Sequence, residues 1–258
     1  MEIQVNKQDM TEALKNVELK GKWATTSGLS SRSLGNYIQF QLHDNQLLLI
    51  NSDESTTVIK AIPVETEDEG FFVLDINMIK KYLAKMNDDI TFEINDTVVM
   101  KSDGKRATLP IVVEHPFQGR IERFVAQYPI SFEEELERIP TVGSINFSCG
   151  IQLSGEEFHE AIDACEIVNN GIYKLDFREG DEVSRPKFII SSEQTISSYR
   201  EEVPFGRVIG EGATVLFSGP LHKFFNKKDT INMFIGDDQP IVMITENSAL
   251  VRAPRMGI

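Results

Sequence analysis

Cysteine is scarce: Cys149 and Cys165 are the only two in 258 residues. Neither has a CxxC partner or a histidine cluster beside it, so disulfide frameworks and zinc-ligand spacings are excluded and two buried thiols in a reducing compartment are predicted. No run of eighteen apolar residues is present, which removes a membrane-spanning helix from the expectations. The opening Met1-Glu2-Ile3-Gln4-Val5-Asn6 lacks the basic and apolar stretches of a secretory signal, so a soluble intracellular protein is expected. Catalytic signatures are missing too. His43, His115, His159 and His222 are scattered, and His159-Glu160 runs on into Ala161-Ile162-Asp163 rather than completing HExxH. There is no GxSxG, P-loop or GxGxxG. Asp88-Asp89 and Asp237-Asp238 pair carboxylates, but both sit in predicted turns, where aspartate is favoured for local hydrogen bonds. The expectation is no enzyme activity, no cofactor and no metal. Positive charge is also short, with 26 Lys and Arg against 40 Asp and Glu and a net charge of −14. That balance argues against nucleic acid unless the lysines are gathered on one surface.

What is present is a core-forming composition, 41% hydrophobic, arranged as a repeat. Ile3 to Leu14 lies against Ile151 to Ile162 at a constant offset of 148, and Val17 then falls opposite Cys165. Each copy reads as a short strand, a polar break and an amphipathic helix, with Met10, Ala13, Leu14 and Val17 on one face and Phe158, Ala161, Ile162 and Cys165 on the other copy's face. Later in each half, Val73-Leu74 through Lys85 matches Val215-Leu216 through Lys227 at an offset of 142. Both stretches leave through an acidic turn into a strand, from Asp89 to Ile94 and from Thr230 to Ile235. The six-residue drop in offset places extra chain between the first half's helices, in the Ser/Gly/Thr-rich segment Lys20 to Asn36, predicted as a loop. Further strands are predicted at Tyr37 to Leu42, Gln46 to Ile50, Thr56 to Ile62, Thr97 to Lys101, Lys187 to Ser191, Ile241 to Thr245 and Leu250 to Arg252. Turns are marked by His43-Asp44-Asn45, Ser102-Asp103-Gly104 and Gly236-Asp237-Asp238. Strands outweigh helices without βαβ alternation, so the class is α+β: two repeated domains of antiparallel sheets with two helices each, at 1–113 and 144–258.

The connector, 114–143, carries Pro116, Pro129 and Pro140 and the run Glu133-Glu134-Glu135-Leu136-Glu137. It reads either as an ordinary acidic linker or, given Ile130, Phe132, Leu136 and Ile139, as a docking strap.

The second helix of each half concentrates the lysines. With Ile76, Ile79, Leu83 and Met86 turned inward, Lys81 and Lys85 share the opposite side with Lys80 beside them. With Leu221, Phe224 and Phe225 inward, His222, Lys223, Lys227 and Lys228 are left outside. These are either solvated surface charge or a functional face, and the repeat of Lys81 as Lys223 and Lys85 as Lys227 favours function. The first helix offers Lys7 and Lys15, whereas its counterpart is acidic through Glu156, Glu157, Glu160, Asp163 and Glu166. No base-reading device is present, so any DNA contact is with the backbone.

Several stretches resemble the sliding clamps of the proliferating cell nuclear antigen family. They are Phe147-Ser148-Cys149-Gly150-Ile151-Gln152-Leu153-Ser154-Gly155-Glu156-Glu157-Phe158, the Lys223-Phe224-Phe225 helix, the Asp238-Gln239-Pro240-Ile241 turn and the ending Leu250-Val251-Arg252-Ala253-Pro254-Arg255. Leu48 to Asp53 and Leu74 to Lys81 fall in the expected order, so the resemblance covers nearly the whole chain, as a divergent member. It implies a DNA-clamp fold and a closed homotrimer whose helices line a hole around double-stranded DNA. It implies a processivity factor tethering DNA polymerase, a clamp loader that opens the ring, and further partners carrying a short hydrophobic motif. The expected DNA-facing residues are Lys7, Lys15, Lys80, Lys81, Lys85, His222, Lys223, Lys227 and Lys228. The expected partner pocket is Ser52, Asp53, Leu136, Ile139, Pro240, Ala253 and Pro254, with Ser52 standing where the family carries a larger apolar residue. The alternative is a clamp-fold subunit of a heteromeric ring, an adaptor of checkpoint type.

Overall fold

The computed structural model describes residues 1–19, 36–127, 136, 138–140, 145–168, 171–181, 184–219 and 221–255. Of the loop predicted at Lys20 to Asn36, residues 20–35 lie outside them, as do the connector residues Pro129, Ile130, Phe132, Glu133, Glu134, Glu135 and Glu137. The chain forms two compact units, Met1–Phe124 and Val125–Ile258.

In unit 1, strand β1 (Glu2–Asn6) leads into helix α1 (Lys7–Asn16), followed by β2 (Tyr37–His43), β3 (Gln46–Ser52), β4 (Thr56–Pro63) and β5 (Gly70–Asp75). Helix α2 (Ile76–Leu83), β6 (Asp89–Ile94), β7 (Thr97–Ser102) and β8 (Lys105–Pro110) follow, and helix α3 (Gln118–Gln127) begins in unit 1 and runs three residues past its end. One sheet has the order β1-β6-β7-β8, and β4, β3, β2 and β5 pair in that order in another, every pair antiparallel. Helix α3 is an addition to the two helices expected per domain. It occupies the first part of the stretch read as connector because Ile121 and Phe124 recur at helical spacing and are buried.

Unit 2 repeats the plan. It comprises β9 (Cys149–Ser154), helix α4 (Gly155–Val168), β10 (Ile172–Arg178), β11 (Lys187–Glu193), β12 (Ser198–Val203), β13 (Val208–Gly210) and β14 (Ala213–Ser218). A single 3-10 turn (Leu221–Phe224) then precedes β15 (Thr230–Ile235), β16 (Ile241–Thr245) and β17 (Ser248–Arg252). Its sheets run β12-β11-β10-β14 and β13-β9-β15-β16-β17, again antiparallel throughout.

The repeat is visible in equivalent bonds as well as in the sequence. Lys7 N–H donates to Asp88 O at 2.7 Å in unit 1, and Gly155 N–H donates to Asp229 O at 2.8 Å in unit 2. Each bond ties the start of the first helix to the acidic turn after the second. Helix α1 is capped by Asn6, whose side chain accepts from Gln8 N–H at 2.8 Å, and α2 by Asp75, which accepts from Asn77 and Met78 N–H. The inward faces follow the sequence: Met10, Ala13, Leu14 and Val17 are buried, as are Phe158, Ala161, Ile162 and Cys165. Burying such a side chain contributes about 1.5–3 kcal/mol, far more than a cap, so the apolar stripe sets how each helix lies on its sheet. Asp44 (φ 47°) with Asn45 (φ 58°), and Asp103 (φ 37°) with Gly104 (φ 74°), make the two-residue left-handed turns that match strand twist. Asp237 is a turn residue too, its carboxylate accepting from Thr214 N–H at 2.7 Å. Both cysteines are free and buried, and burial pushes the Cys149 thiol up to about 12 and that of Cys165 to about 11.

Candidate functional site

In unit 1 the lysines divide by environment. Ile76, Ile79, Leu83 and Met86 are buried beneath α2, which leaves Lys81 and Lys85 exposed on the far side. Among the described residues neither has an ion-pair or hydrogen-bond partner. Lys80 is different: its ammonium pairs with the Glu18 carboxylate at 2.5 Å, so its charge is largely spent within the fold. Lys7 is half-buried and donates to Met86 O at 2.7 Å, fastening α1 to the end of α2. Lys15 is exposed on the outer face of α1 near Glu12.

In unit 2 the expected second helix is one 3-10 turn, and this corrects the placement of His222. A 3-10 turn advances a third of a revolution per residue, so Leu221 and Phe224 eclipse inward and His222 is carried toward α4 instead of outward. His222 is 6% exposed, its Nε2 lies 3.2 Å from the Asp163 carboxylate, and its ring meets that of His159 edge-on at 5.1 Å. Burial drives its pKa down to about 4, Asp163 opposing the shift and His159 and Lys223 adding to it. It is a neutral packing residue at ordinary pH, not a cation for phosphate. Lys223 is exposed on the 3-10 turn, and Lys227 and Lys228 are exposed in the following turn rather than on a helix. That turn is closed by Asn226 N–H to the Asp229 carboxylate at 2.8 Å. It packs so closely on α4 that a Cβ on Gly155 would sit 2.4 Å from Asn226 O. Lys223, Lys227 and Lys228 have no ion-pair partner among the described residues. Alongside them, α4 presents Glu156, Glu160 and Asp163 to solvent, so its outer face repels phosphate.

The residues expected to form a partner pocket also separate. In unit 2 a row of directly opposed residues crosses the sheet from Ile209 through Gly150, Phe234 and Val242 to Val251. Leu136, 1% exposed, lies on this row. A Cβ on Gly150 would meet Leu136 Cδ1 at 2.9 Å and the Phe234 ring at 3.0 Å, so glycine is what lets the connector seat here. Ile139 packs beside Gly210, which takes φ 87°. Pro240, Ala253 and Pro254 are half-exposed, and the tail is pinned where Arg255 N–H donates to Leu216 O at 2.7 Å. Ser52 and Asp53 belong to unit 1 and are corrected as contact side chains. Ser52 is fully buried, its hydroxyl 2.8 Å from that of Thr57, and the Asp53 carboxylate accepts from Ser55 and Thr56 N–H at 2.7 Å. The Arg120 guanidinium also donates to Asp53 O at 2.6 Å, closing the turn with a residue that the sequence reading did not single out. Gly150, isolated between Cys149 and Ile151 in a strand pattern, was a readable signal for the Leu136 seat.

No protein-family profile and no curated protein matches this sequence. Solved structures match it over its full length. A complex described as the C-terminal region of FEN-1 bound to A. fulgidus PCNA superposes with a TM-score of 0.69 at 14% identity, covering 100% of this chain and 99% of that one. The DNA polymerase III beta chain of Streptococcus pneumoniae gives 0.72 at 14% identity, and the Helicobacter pylori beta clamp bound to a DNA ligase peptide gives 0.63 at 15% identity. Each is covered over 100% of this chain, and the chain spans 65% and 67% of their lengths. Among the described residues no helix is long and apolar enough to cross a membrane. A sheet-rich antiparallel chain of two repeated units, matched end to end by these structures, has the DNA-clamp fold of the sliding clamps.

Proposed function

We propose that the chain is a sliding-clamp subunit: a non-enzymatic intracellular protein that closes as a homotrimer around duplex DNA and acts as a polymerase processivity factor. The observation carrying this reading is the two repeat-matched pairs of exposed lysines, Lys81 with Lys223 and Lys85 with Lys227, without an ion-pair partner among the described residues in a protein of net charge −14. Unpaired ammonium groups on a scaffold without base-reading elements suit a weak backbone attraction that permits sliding. Lys228 is exposed next to Lys227 in unit 2 and Lys15 is exposed on α1 in unit 1, while Lys7 and Lys80 are held within the fold. Six such units, three chains of two, would complete a ring, and the A. fulgidus protein is matched along nearly its whole length. Ile139, Pro240 and the Ala253-Pro254 tail are half-exposed apolar residues that would receive the short hydrophobic motif of a polymerase or other partner, with Leu136 buried beneath as support. Two of the matched clamps are bound to segments of other proteins, the C-terminal region of FEN-1 and a DNA ligase peptide.

The competing reading is a clamp-fold subunit of a heteromeric ring, and its support is α4. That acidic face differs so much from the lysine-bearing turns that one chain type lining a whole ring would alternate attraction with repulsion. Native mass spectrometry of the purified chain separates the two. Three copies per particle support the homotrimer, and a persistent monomer at micromolar concentration overturns it.

A further inference from the structure

The two units differ at one strand edge. In unit 2, β9 has β15 on one side and the short β13 on the other. β13 belongs to the link between β12 and β14, residues 204–212, which covers the β9 edge: Gln152 N–H donates to Arg207 O at 2.9 Å, and Gly206 N–H donates to Gln152 O at 2.9 Å. The offset of 148 places Gln4 of β1 where Gln152 stands in β9. The corresponding link between β4 and β5 is only residues 64–69, three residues shorter, and it forms no strand. Among the described residues β1 therefore pairs with β6 alone. Met1 and Ile94 exchange hydrogen bonds in both directions, at 3.1 and 2.8 Å, so by alternation Ile3 and Val5 face β6 while the backbone groups of Glu2 and Gln4 point away. Glu2 N–H is taken by the Asp68 carboxylate at 3.3 Å. Gln4 N–H and C=O have no partner among the described residues. A groove of 840 Å³ runs along this edge, lined by Glu2, Gln4, Asn45, Pro63, Val64 and Glu65.

We infer that the β1 edge is a strand-addition site for an extended peptide rich in lysine or arginine, which joins the β1-β6-β7-β8 sheet as a fifth strand. Main-chain pairing supplies the affinity, as it does where β13 joins β9, and an unpaired edge is otherwise a liability that folds cover. The surrounding charge selects the occupant: Glu2 and Glu65 line the groove, and among the described residues no lysine or arginine does, the Asp68 carboxylate being 3.9 Å from the Met1 ammonium. The site is built from unit 1 alone. It is measured on the free chain, so its failure is distinct from failure of the ring reading.

The probe is a synthetic peptide with the sequence of residues 204–210, extended by two lysines, added to the full chain. Backbone amide exchange at Gln4 is expected to slow by about tenfold at saturating peptide, and the affinity to fall with added salt. Gln4→Pro removes an outward N–H that β6 does not use, a change an edge strand tolerates. It is expected to weaken the peptide by about tenfold or more while leaving Tm unchanged. Glu2→Lys with Glu65→Lys is expected to reverse the preference toward a glutamate-extended peptide. Unchanged exchange at Gln4 or equal binding by Gln4→Pro would overturn the site. So would Gln4 protection that rises with protein concentration without peptide, which would make the occupant a second copy.

Discussion

Replacing Lys81 and Lys223 with glutamine removes one exposed charge from each unit without touching a hydrogen bond or an ion pair among the described residues. Its effect on DNA follows from counterion release. Five lysines per chain (Lys81, Lys85, Lys223, Lys227 and Lys228) are exposed on α2, the 3-10 turn and the loops after them, without an ion-pair partner among the described residues. If each neutralises a phosphate, log K falls with log salt at a slope of about −4.5 per engaged chain, roughly a 500-fold loss between about 50 and about 200 mM. Lys81→Gln with Lys223→Gln brings the slope to about −2.7, so the same salt step costs the variant roughly 40-fold and the difference between the proteins shrinks about twelvefold across it. Fluorescence anisotropy on a labelled duplex over a salt series reads the slope directly, and the slope should not depend on duplex sequence. Lys80→Gln is the internal control. Its ammonium is already held by Glu18, so its removal should change the slope by less than half as much as that of Lys81. An unchanged slope in the double variant, or a larger effect from Lys80 than from Lys81, would refute the assignment of the cationic face.

Ala253→Asp with Pro254→Glu puts charge on the half-exposed tail without entering the core, and is expected to abolish polymerase stimulation while leaving subunit mass and Tm unchanged. Full stimulation by that variant would remove the tail from the partner seat. Acid should weaken both units: His115 and His222 are buried with pKa values lowered to about 4, against about 6.5 unfolded. The unfolded chain binds the extra protons, so stability present above pH 6.5 is lost as pH falls toward 4, at most about 3 kcal/mol per histidine. Urea midpoints at pH 7.5 and 4.5 for the wild type and for His115→Gln with His222→Gln test this, and equal pH dependence in the two proteins would count against it.

The parts of this fold that were legible are those fixed by burial periodicity and turn chemistry. Met10, Ala13, Leu14 and Val17 could share a helical face only if they were core, and His43-Asp44-Asn45 had few alternatives to a hairpin. Tertiary contacts made the rest unreadable. The stretch after Leu221 has the same pattern as α2, yet it closes as one 3-10 turn because the Asn226–Asp229 turn must pack against Gly155. His222 then turns toward Asp163, a reversal that no single-strand periodicity contains. Lys80 and Lys81 are neighbours in sequence, and only the approach of Glu18 separates a neutralised lysine from a free one. Ser52 and Asp53 were placed by their order along the chain, whereas their side chains are spent closing their own turn.

The same contrast explains why duplicated units need not have duplicated functions. Both inherit the bond from the first helix to the acidic turn, Lys7 to Asp88 and Gly155 to Asp229. Where Lys7 reaches the end of α2 with its side chain, Gly155 has none and lets the lysine-bearing turn settle directly onto α4. A three-residue difference between two links likewise decides whether a strand edge is closed by β13 or left open at Gln4. The shared core requires none of these differences, since each lies outside the buried apolar faces that hold the repeat. The surfaces are therefore free to diverge, and in an acidic chain the few positions where a lysine stays unpaired or an edge stays uncovered are where binding should be sought.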